Sequence, residues 1–280
     1  MRDGSGYGRL LRAGAVAAAG AALLAGCSSG GGGGGAGRTP GVSASGTDTA
    51  SAAPTTSPAS PTPTGPPFTP DPAKAPRTAA EARRLALATV AGPDDWGPEY
   101  VRRTPYLSEP DAWPVLDAGC TWEAGAPPRT VLASVTAYSE IPAAGGKGPL
   151  RVAATVTVHR TESEADWEMA ETLEEALRCP DQRLREGERI TGLNSLGVPY
   201  GVGGNATSSD SLLERGAYVN DAFGKKPQFY TWLQNRAGQV TVAVVVKGAP
   251  GYTEAETNTA QVRANVIMQD RVKKQLGAQR

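Results

Sequence analysis

Residues that could perform acid–base or nucleophilic chemistry are few in this chain of 280 residues, which contains a single histidine. His159 falls on the polar face of a predicted strand, and a lone histidine at such a position is typical of a protein surface. The segment 192–197 has the wrong spacing for the Gly-x-Ser-x-Gly turn that exposes a nucleophilic serine. The sequence therefore predicts no catalytic residues and a protein that is not an enzyme.

Two adjacent acidic pairs are the remaining candidates for acid–base chemistry: Asp94 with Asp95, and Glu174 with Glu175. Neighbouring residues on a helix point apart, so the second pair is predicted to lie on a solvated helix face. Histidine, cysteine and carboxylate residues do not cluster with the spacing of a zinc site. The glycines of 201–204 precede no helical pattern, which predicts a mobile loop instead of a dinucleotide site. No metal and no cofactor is expected.

The first 26 residues have the pattern of a signal peptide, with three arginines before an uncharged run at 13–24. As a helix that run would measure about 18 Å, too short for a hydrocarbon core of about 30 Å. It ends in Leu-Ala-Gly-Cys at Cys27, which resembles the lipobox of bacterial lipoproteins. The resemblance implies cleavage before Cys27 and a diacylglyceryl group on its thiol; an ordinary secretory signal is the alternative. Two acyl chains anchor a protein stably, so we expect export and attachment to the outer face of the cell membrane.

The segment after Cys27 is rich in Gly, Ser, Thr and Pro as far as position 76. It cannot bury enough apolar surface to offset its ordering entropy, which predicts a disordered tether with a reach of about 35–42 Å. The sequence thus divides into a signal peptide (1–26), a lipidated cysteine with its tether (27–76) and a folded domain (77–280). The domain carries 23 basic and 25 acidic residues, which excludes the basic surface that nucleic-acid binding requires.

Cys120 and Cys179 remain once Cys27 is lipidated. An even pair in an oxidising compartment predicts a structural disulfide, here between the start of the sheet and the end of a helix. A redox-active or metal-binding pair is the alternative, but no Cys-x-x-Cys spacing supports it.

Three helices are predicted in the domain. Capping boxes place the first at Thr78, ending near Val90, and the last at Thr253, ending near Leu276. Ser163 is the predicted N-cap of the middle helix, which runs to Arg178. Its core stripe is predicted from apolar residues at three- and four-residue spacing, namely Trp167, Ala170, Leu173 and Leu177.

Strands are predicted at 130–139, 150–160, 228–234 and 239–247, the last two joined by a loop at 235–238. The stretches 94–114 and 197–204 have the composition of loops. This order predicts an α+β fold, in which one mostly antiparallel twisted sheet carries about three packed helices. A Mog1/PsbP-like α/β/α sandwich is the alternative fold.

Several segments together resemble the extracellular sensor domain of PknH-type receptor kinases and of actinobacterial lipoproteins that share it. They are the first helix followed by Gly-Pro-Asp-Asp-Trp-Gly-Pro-Glu-Tyr100, the Cys120-Thr-Trp122 strand, the helix ending at Cys179, and the valine-rich strand before the last helix. The resemblance covers roughly 78–276 and implies a sheet with a cleft that binds an unidentified ligand. This chain has one cysteine pair where the kinase domain has two disulfides, and it lacks an acidic residue after Leu196-Gly197.

Trp96 and Trp113 lie in the proline-rich stretch, where they either pack structurally or line such a cleft. We therefore expect a membrane-anchored extracellular domain that binds or senses a small-molecule, envelope or protein ligand. The alternatives are an envelope hydrolase or transferase that uses carboxylates, and a structural envelope protein.

Overall fold

The computed structural model describes residues 68–202 and 204–277. The predicted signal peptide, Cys27 and most of the predicted tether lie outside these residues. The described helices are α1 (Ala79–Thr89), α2 (Pro93–Trp96), α3 (Glu162–Arg178) and α4 (Glu254–Leu276). The described strands are β1 (Val101–Leu107), β2 (Trp113–Leu116), β3 (Trp122–Gly125), β4 (Val131–Ile141), β5 (Leu150–His159), β6 (Gln182–Arg185), β7 (Glu188–Pro199), β8 (Asp210–Asn220), β9 (Gln228–Ala237) and β10 (Val240–Lys247).

Eight of these strands form one antiparallel sheet in the order β1-β4-β5-β10-β9-β8-β7-β6, and β2 and β3 form a separate hairpin. The predicted α+β class is confirmed. Side chains alternate between the two faces of a strand, and β10 shows what each face contacts. Val242 and Val244 face the core under α1 and α4, whereas Thr241 and Val245 face α3. We call these the α1/α4 face and the α3 face.

The capping boxes predicted for the first and last helices are confirmed. Thr78 accepts from the backbone N–H of Glu81, and Glu81 accepts in return from the Thr78 backbone. Thr253 and Glu256 do the same at the start of α4. The prediction for α3 was wrong by two residues, because Thr161 and Glu164 form a third capping box there and Ser163 lies inside the helix.

The predicted core stripe of α3 was also wrong. Trp167 is 67% exposed and Leu177 is 83% exposed, whereas Ala165, Met169 and Ala176 are buried. The residues buried against the sheet are thus two alanines and a methionine, and Leu173 is partly buried next to Gly197. Trp167 and Leu177 remain on the solvent side.

Several predicted loops contain regular structure. The stretch 94–114 includes most of α2 and the edge strand β1. Of the stretch 197–204, the first three residues belong to β7, and the described remainder lies in the turn between β7 and β8. Gly192 has a φ of +61° at the irregularity between Thr191 and Asn194. A glycine bulge of this kind breaks the period-2 pattern by which strands are recognised in a sequence. The last hairpin loop is shorter than predicted, because Ala237 already pairs with Val240.

The folded domain begins before the predicted boundary at Arg77. Pro70 forms a bridge with Gly277, and the Asp71 N–H donates to the Leu276 carbonyl over 2.7 Å. Phe68 packs against the core of the α1/α4 face. The start of the described chain therefore lies beside the C-terminal end of α4.

Candidate functional site

A cavity of about 310 Å³ lies at the end of the molecule where α4 begins. Its walls come from the segment that follows α2, the turn between β4 and β5, and the first turns of α4. Three aromatic side chains contribute to it, Trp96, Tyr100 and Tyr252. This volume falls at the lower end of the range found for small-molecule sites, about 300–1,000 Å³.

The aromatic wall of the cavity is held in place by the core. Trp96 is only 2% exposed, and its ring lies 5.9 Å from that of Tyr100, measured between centroids. Burial raises the pKa of Tyr100 to about 12, with smaller contributions from Tyr252 and Glu99. Its hydroxyl therefore stays protonated at neutral pH and remains available as a hydrogen-bond donor.

Charged side chains border the same cavity. The Lys147 ammonium lies 4.4 Å from the centroid of the Tyr252 ring and 3.5 Å from Glu256 Oε1. Arg263 also contributes to the wall and donates to the Asp94 carbonyl over 3.5 Å. A cavity with aromatic walls and charges of both signs is suited to a small amphipathic molecule with an apolar surface and polar groups.

The structure separates the two tryptophans that were candidates for one cleft. Trp96 is a wall residue of the cavity. Trp113 instead begins β2, where it pairs with Gly125 of β3 and takes no part in lining the cavity. Sequence analysis missed Tyr252 and Arg263 as wall residues, because they lie 156 and 167 residues from Trp96 in the chain and nothing local connects them to it.

Cys120 and Cys179 lie at disulfide distance, with their Sγ atoms 2.07 Å apart and their Cα atoms 5.5 Å apart. Cys179 directly follows α3, as predicted. Cys120 precedes β3, so the pair connects α3 to the β2–β3 hairpin and not to the main sheet. Arg178 reinforces this connection, because its guanidinium donates to the Asp117 carbonyl over 3.1 Å.

The acidic pair near α2 is structural. Asp95 forms a bidentate ion pair with Arg271, over 2.8 and 2.9 Å, and also accepts from the Gly92 N–H. This arrangement fastens α2 to α4. It leaves Asp95 committed to two cationic or donor partners and so unsuited to proton transfer.

The second acidic pair differs from its prediction. Glu174 is exposed and pairs with Arg178, but Glu175 is partly buried between α3 and the sheet. Burial raises the pKa of Glu175 to about 7. Glu214 of β8 lies close enough for the two carboxylates to repel each other, and burial raises its pKa to about 8. Two carboxyl groups with pKa values near neutrality therefore lie beneath α3, which sequence spacing could not reveal.

His159 is not a surface residue, because it is 2% exposed beneath α3. Its Nε2 lies 2.5 Å from Glu168 Oε2, and Glu168 also accepts from Thr241 and Gln234, each over 2.9 Å. This network connects α3 to β5, β9 and β10, so we interpret it as structural. His159 Nδ1 is buried without a hydrogen-bond partner among the described residues.

Within 68–202 and 204–277, no group of three or more histidine, cysteine or carboxylate residues could hold a metal ion. No helix in that part of the chain is long and apolar enough to cross a membrane. Comparison with models of known protein families finds no match, and no curated protein matches the sequence.

Proposed function

We propose that this chain is a lipid-anchored extracellular protein whose folded domain binds a small amphipathic molecule in the cavity beside Trp96. The observation that carries the proposal is the cavity itself, with three aromatic side chains and charges of both signs in its walls. The likeness to PknH-type sensor domains supports the same proposal, because that family is thought to bind a ligand in a cleft.

The distance of the cavity from the first described residues of the domain also supports ligand binding. The first turns of α4 line the cavity, whereas Pro70 pairs with Gly277 just beyond the other end of α4. A helix of 23 residues spans about 35 Å at 1.5 Å per residue. The cavity thus lies at the end of the domain remote from residue 68, where a preceding tether would attach.

A cavity-filling variant tests the proposal. Ala260 lines the cavity from α4, so Ala260→Phe should fill it without removing a hydrogen bond. Val262→Phe introduces the same side chain at an exposed position on the same helix and serves as the control. The full chain in mild detergent would be screened by thermal melting against fractionated envelope extracts. We expect a ligand-dependent rise in melting temperature that Ala260→Phe abolishes and Val262→Phe retains; equal responses in both variants would overturn the proposal.

A carboxylate-dependent hydrolase is the second candidate, favoured by the raised pKa values of Glu175 and Glu214. General acids work best when their pKa lies near the working pH. The same screen separates the candidates. An envelope fraction that the parent protein turns over and Glu214→Gln does not would favour the hydrolase. If no fraction changes the melting temperature and none is turned over, a structural envelope role is the remaining explanation.

A further inference from the structure

Charged side chains from both edges of the sheet meet on the α3 face, beyond the area that α3 covers. Arg151 on β5 and Glu188 on β7 are four strand positions apart in the sheet. In a flat sheet that separation would be about 19 Å. Arg151 Nη1 nevertheless lies 3.4 Å from Glu188 Oε1, so the sheet curls strongly toward this face. The curl creates a trough between β1 at one edge and β6 at the other.

We call the charged residues of this trough the edge cluster; it consists of Arg103, Glu140, Arg151, Arg185, Glu188 and Lys247. Glu188 is 7% exposed and is the common partner of three cations. Arg185 hydrogen-bonds its carboxylate, and the Lys247 ammonium lies 3.6 Å from Oε2. The cluster therefore contains four cations and two carboxylates, which leaves two surplus positive charges.

Two of the cations lack a full set of partners. The buried Arg151 Nε has no hydrogen-bond acceptor, and its nearest carboxylate oxygen, Glu140 Oε2, is 4.0 Å away. Arg103 lies over the ring of Tyr138, 5.6 Å from its centroid, and forms no ion pair with a carboxylate of the described residues. A buried donor without an acceptor is costly, so Arg151 Nε points to an acceptor that the chain itself does not supply. Arg103 is only partly buried, and Glu188 Oε2 of the same cluster is buried without a hydrogen-bond donor among the described residues.

The pKa shifts of Lys247 and Arg103 agree with a surplus of positive charge in the edge cluster. Burial lowers the pKa of Lys247 to about 8; the Glu188 carboxylate opposes this shift, and Arg185 and Arg103 add to it. Burial likewise lowers the pKa of Arg103, with further contributions from Arg151 and Arg185. The cations thus disfavour one another's charged forms, a cost that a bound anion would relieve.

We propose that the edge cluster is a binding site for a dianionic phosphoryl group. Its two surplus charges match those of a phosphate monoester near neutral pH. Guanidinium groups recognise phosphate oxygens through paired N–H donors, and the lysine adds a point charge. The site lies on the opposite face of the sheet from the cavity beside Trp96, since Arg151 and Leu150 alternate along β5. It is therefore independent of the function proposed above.

Titration of the full chain with inorganic phosphate, at constant ionic strength held with chloride, tests the proposal. We expect saturable binding by calorimetry that Arg103→Gln weakens about tenfold or more, the usual effect of losing a charge-assisted hydrogen bond. Arg183→Gln removes the same charge from an exposed position on β6 and should bind as the parent does. Absence of saturable binding, or equal weakening in both variants, would overturn the proposal.

Further measurements test whether Arg103 has a structural role and identify the source of the phosphate. In phosphate-free buffer Arg103→Gln should melt at or above the parent temperature, because it removes surplus charge; a lower temperature would indicate a structural role. If Arg103→Gln fails to fold, Arg185→Gln is used in its place. The Arg185 side chain is half exposed, and we expect its loss to weaken phosphate binding by the same factor.

Tighter binding of glycerol phosphate than of inorganic phosphate would identify an organic phosphate as the natural ligand. Tighter binding of succinate than of either would overturn the assignment to phosphate.

Discussion

At the scale of single residues, Glu214 and Glu175 give the domain a pH dependence that its composition does not suggest. Burial raises both pKa values, to about 8 for Glu214 and about 7 for Glu175; the Glu175 carboxylate adds to the shift of Glu214, and Glu171 adds to that of Glu175. Both groups are therefore largely protonated in the folded state at pH 6, whereas both ionise near 4.5 in an unfolded chain. The stability they contribute is full below about pH 4.5 and is lost as the pH rises through 7 and 8.

Glu214→Gln should remove part of this dependence, because the amide has the size of the protonated acid but cannot ionise. We expect the variant to match the parent near pH 4 and to exceed its free energy of unfolding by about 1–3 kcal/mol at pH 9. Urea denaturation across that pH range measures the difference. Glu123→Gln, the same change at an exposed position on β3, should leave the pH profile unchanged. A parent stability that stays constant from pH 5 to 9 would contradict the prediction.

Residue chemistry was predictable where a side chain's role follows from its type alone. The Cys120–Cys179 pair could be predicted because no other partner remained for either thiol in the domain. His159 and Glu175 could not, since their burial depends on how α3 lies across the sheet. The same holds for the cavity, where only Trp96 was identified in advance.

At the scale of elements, local signals predicted helix boundaries better than helix orientation. The capping boxes at Thr78 and Thr253 are short-range hydrogen-bond patterns and were confirmed. The buried side of α3 was not predictable from hydrophobic spacing, because the tertiary contacts of the helix bury Ala165, Met169 and Ala176 and leave the larger Trp167 exposed. Alternating apolar residues identified β5 and β10, whereas the bulge in β7 concealed that strand and its partner.

The disulfide should stabilise the contact between α3 and the β2–β3 hairpin. The sequence separation of its cysteines is 59, and a closed loop of that size is worth roughly 4 kcal/mol in the chain-entropy model, with measured bridges often giving less. We expect the double variant Cys120→Ala and Cys179→Ala to lose about 2–4 kcal/mol in free energy of unfolding. Denaturant titration measures the loss, and the reduced parent protein is the matched control. Recovery of both cysteines as free thiols from surface-exposed protein would show that the bridge does not form.

At the scale of the whole molecule, both proposed sites depend on the shape of the sheet. The curl that brings Arg151 to Glu188 forms the trough, and the packing of α4 across the α1/α4 face forms the cavity. The antiparallel class of the sheet was predictable from alternation along its strands. Its curvature was not, because bulges and contacts between distant edges set it.

The proposed lipid anchor is the feature on which the proposed location of the whole molecule depends. Leu-Ala-Gly-Cys at the end of the leader resembles a lipobox, and a diacylglyceryl group supplies the two chains that stable anchoring requires. Cys27→Ser removes the acyl acceptor. The Gly/Ser/Thr/Pro segment that follows carries too little apolar surface to hold a protein on a bilayer. We therefore expect the variant to leave the membrane fraction.

Fractionation of cells followed by a carbonate wash measures this change. The parent should remain in the washed membrane pellet, and Cys27→Ser should appear in the wash or the medium. Ser28→Ala, at the adjacent position, keeps the thiol and should stay with the membrane. A Cys27→Ser protein that survives the wash in the pellet would show that another part of the chain binds the membrane, and the lipobox interpretation would then be wrong.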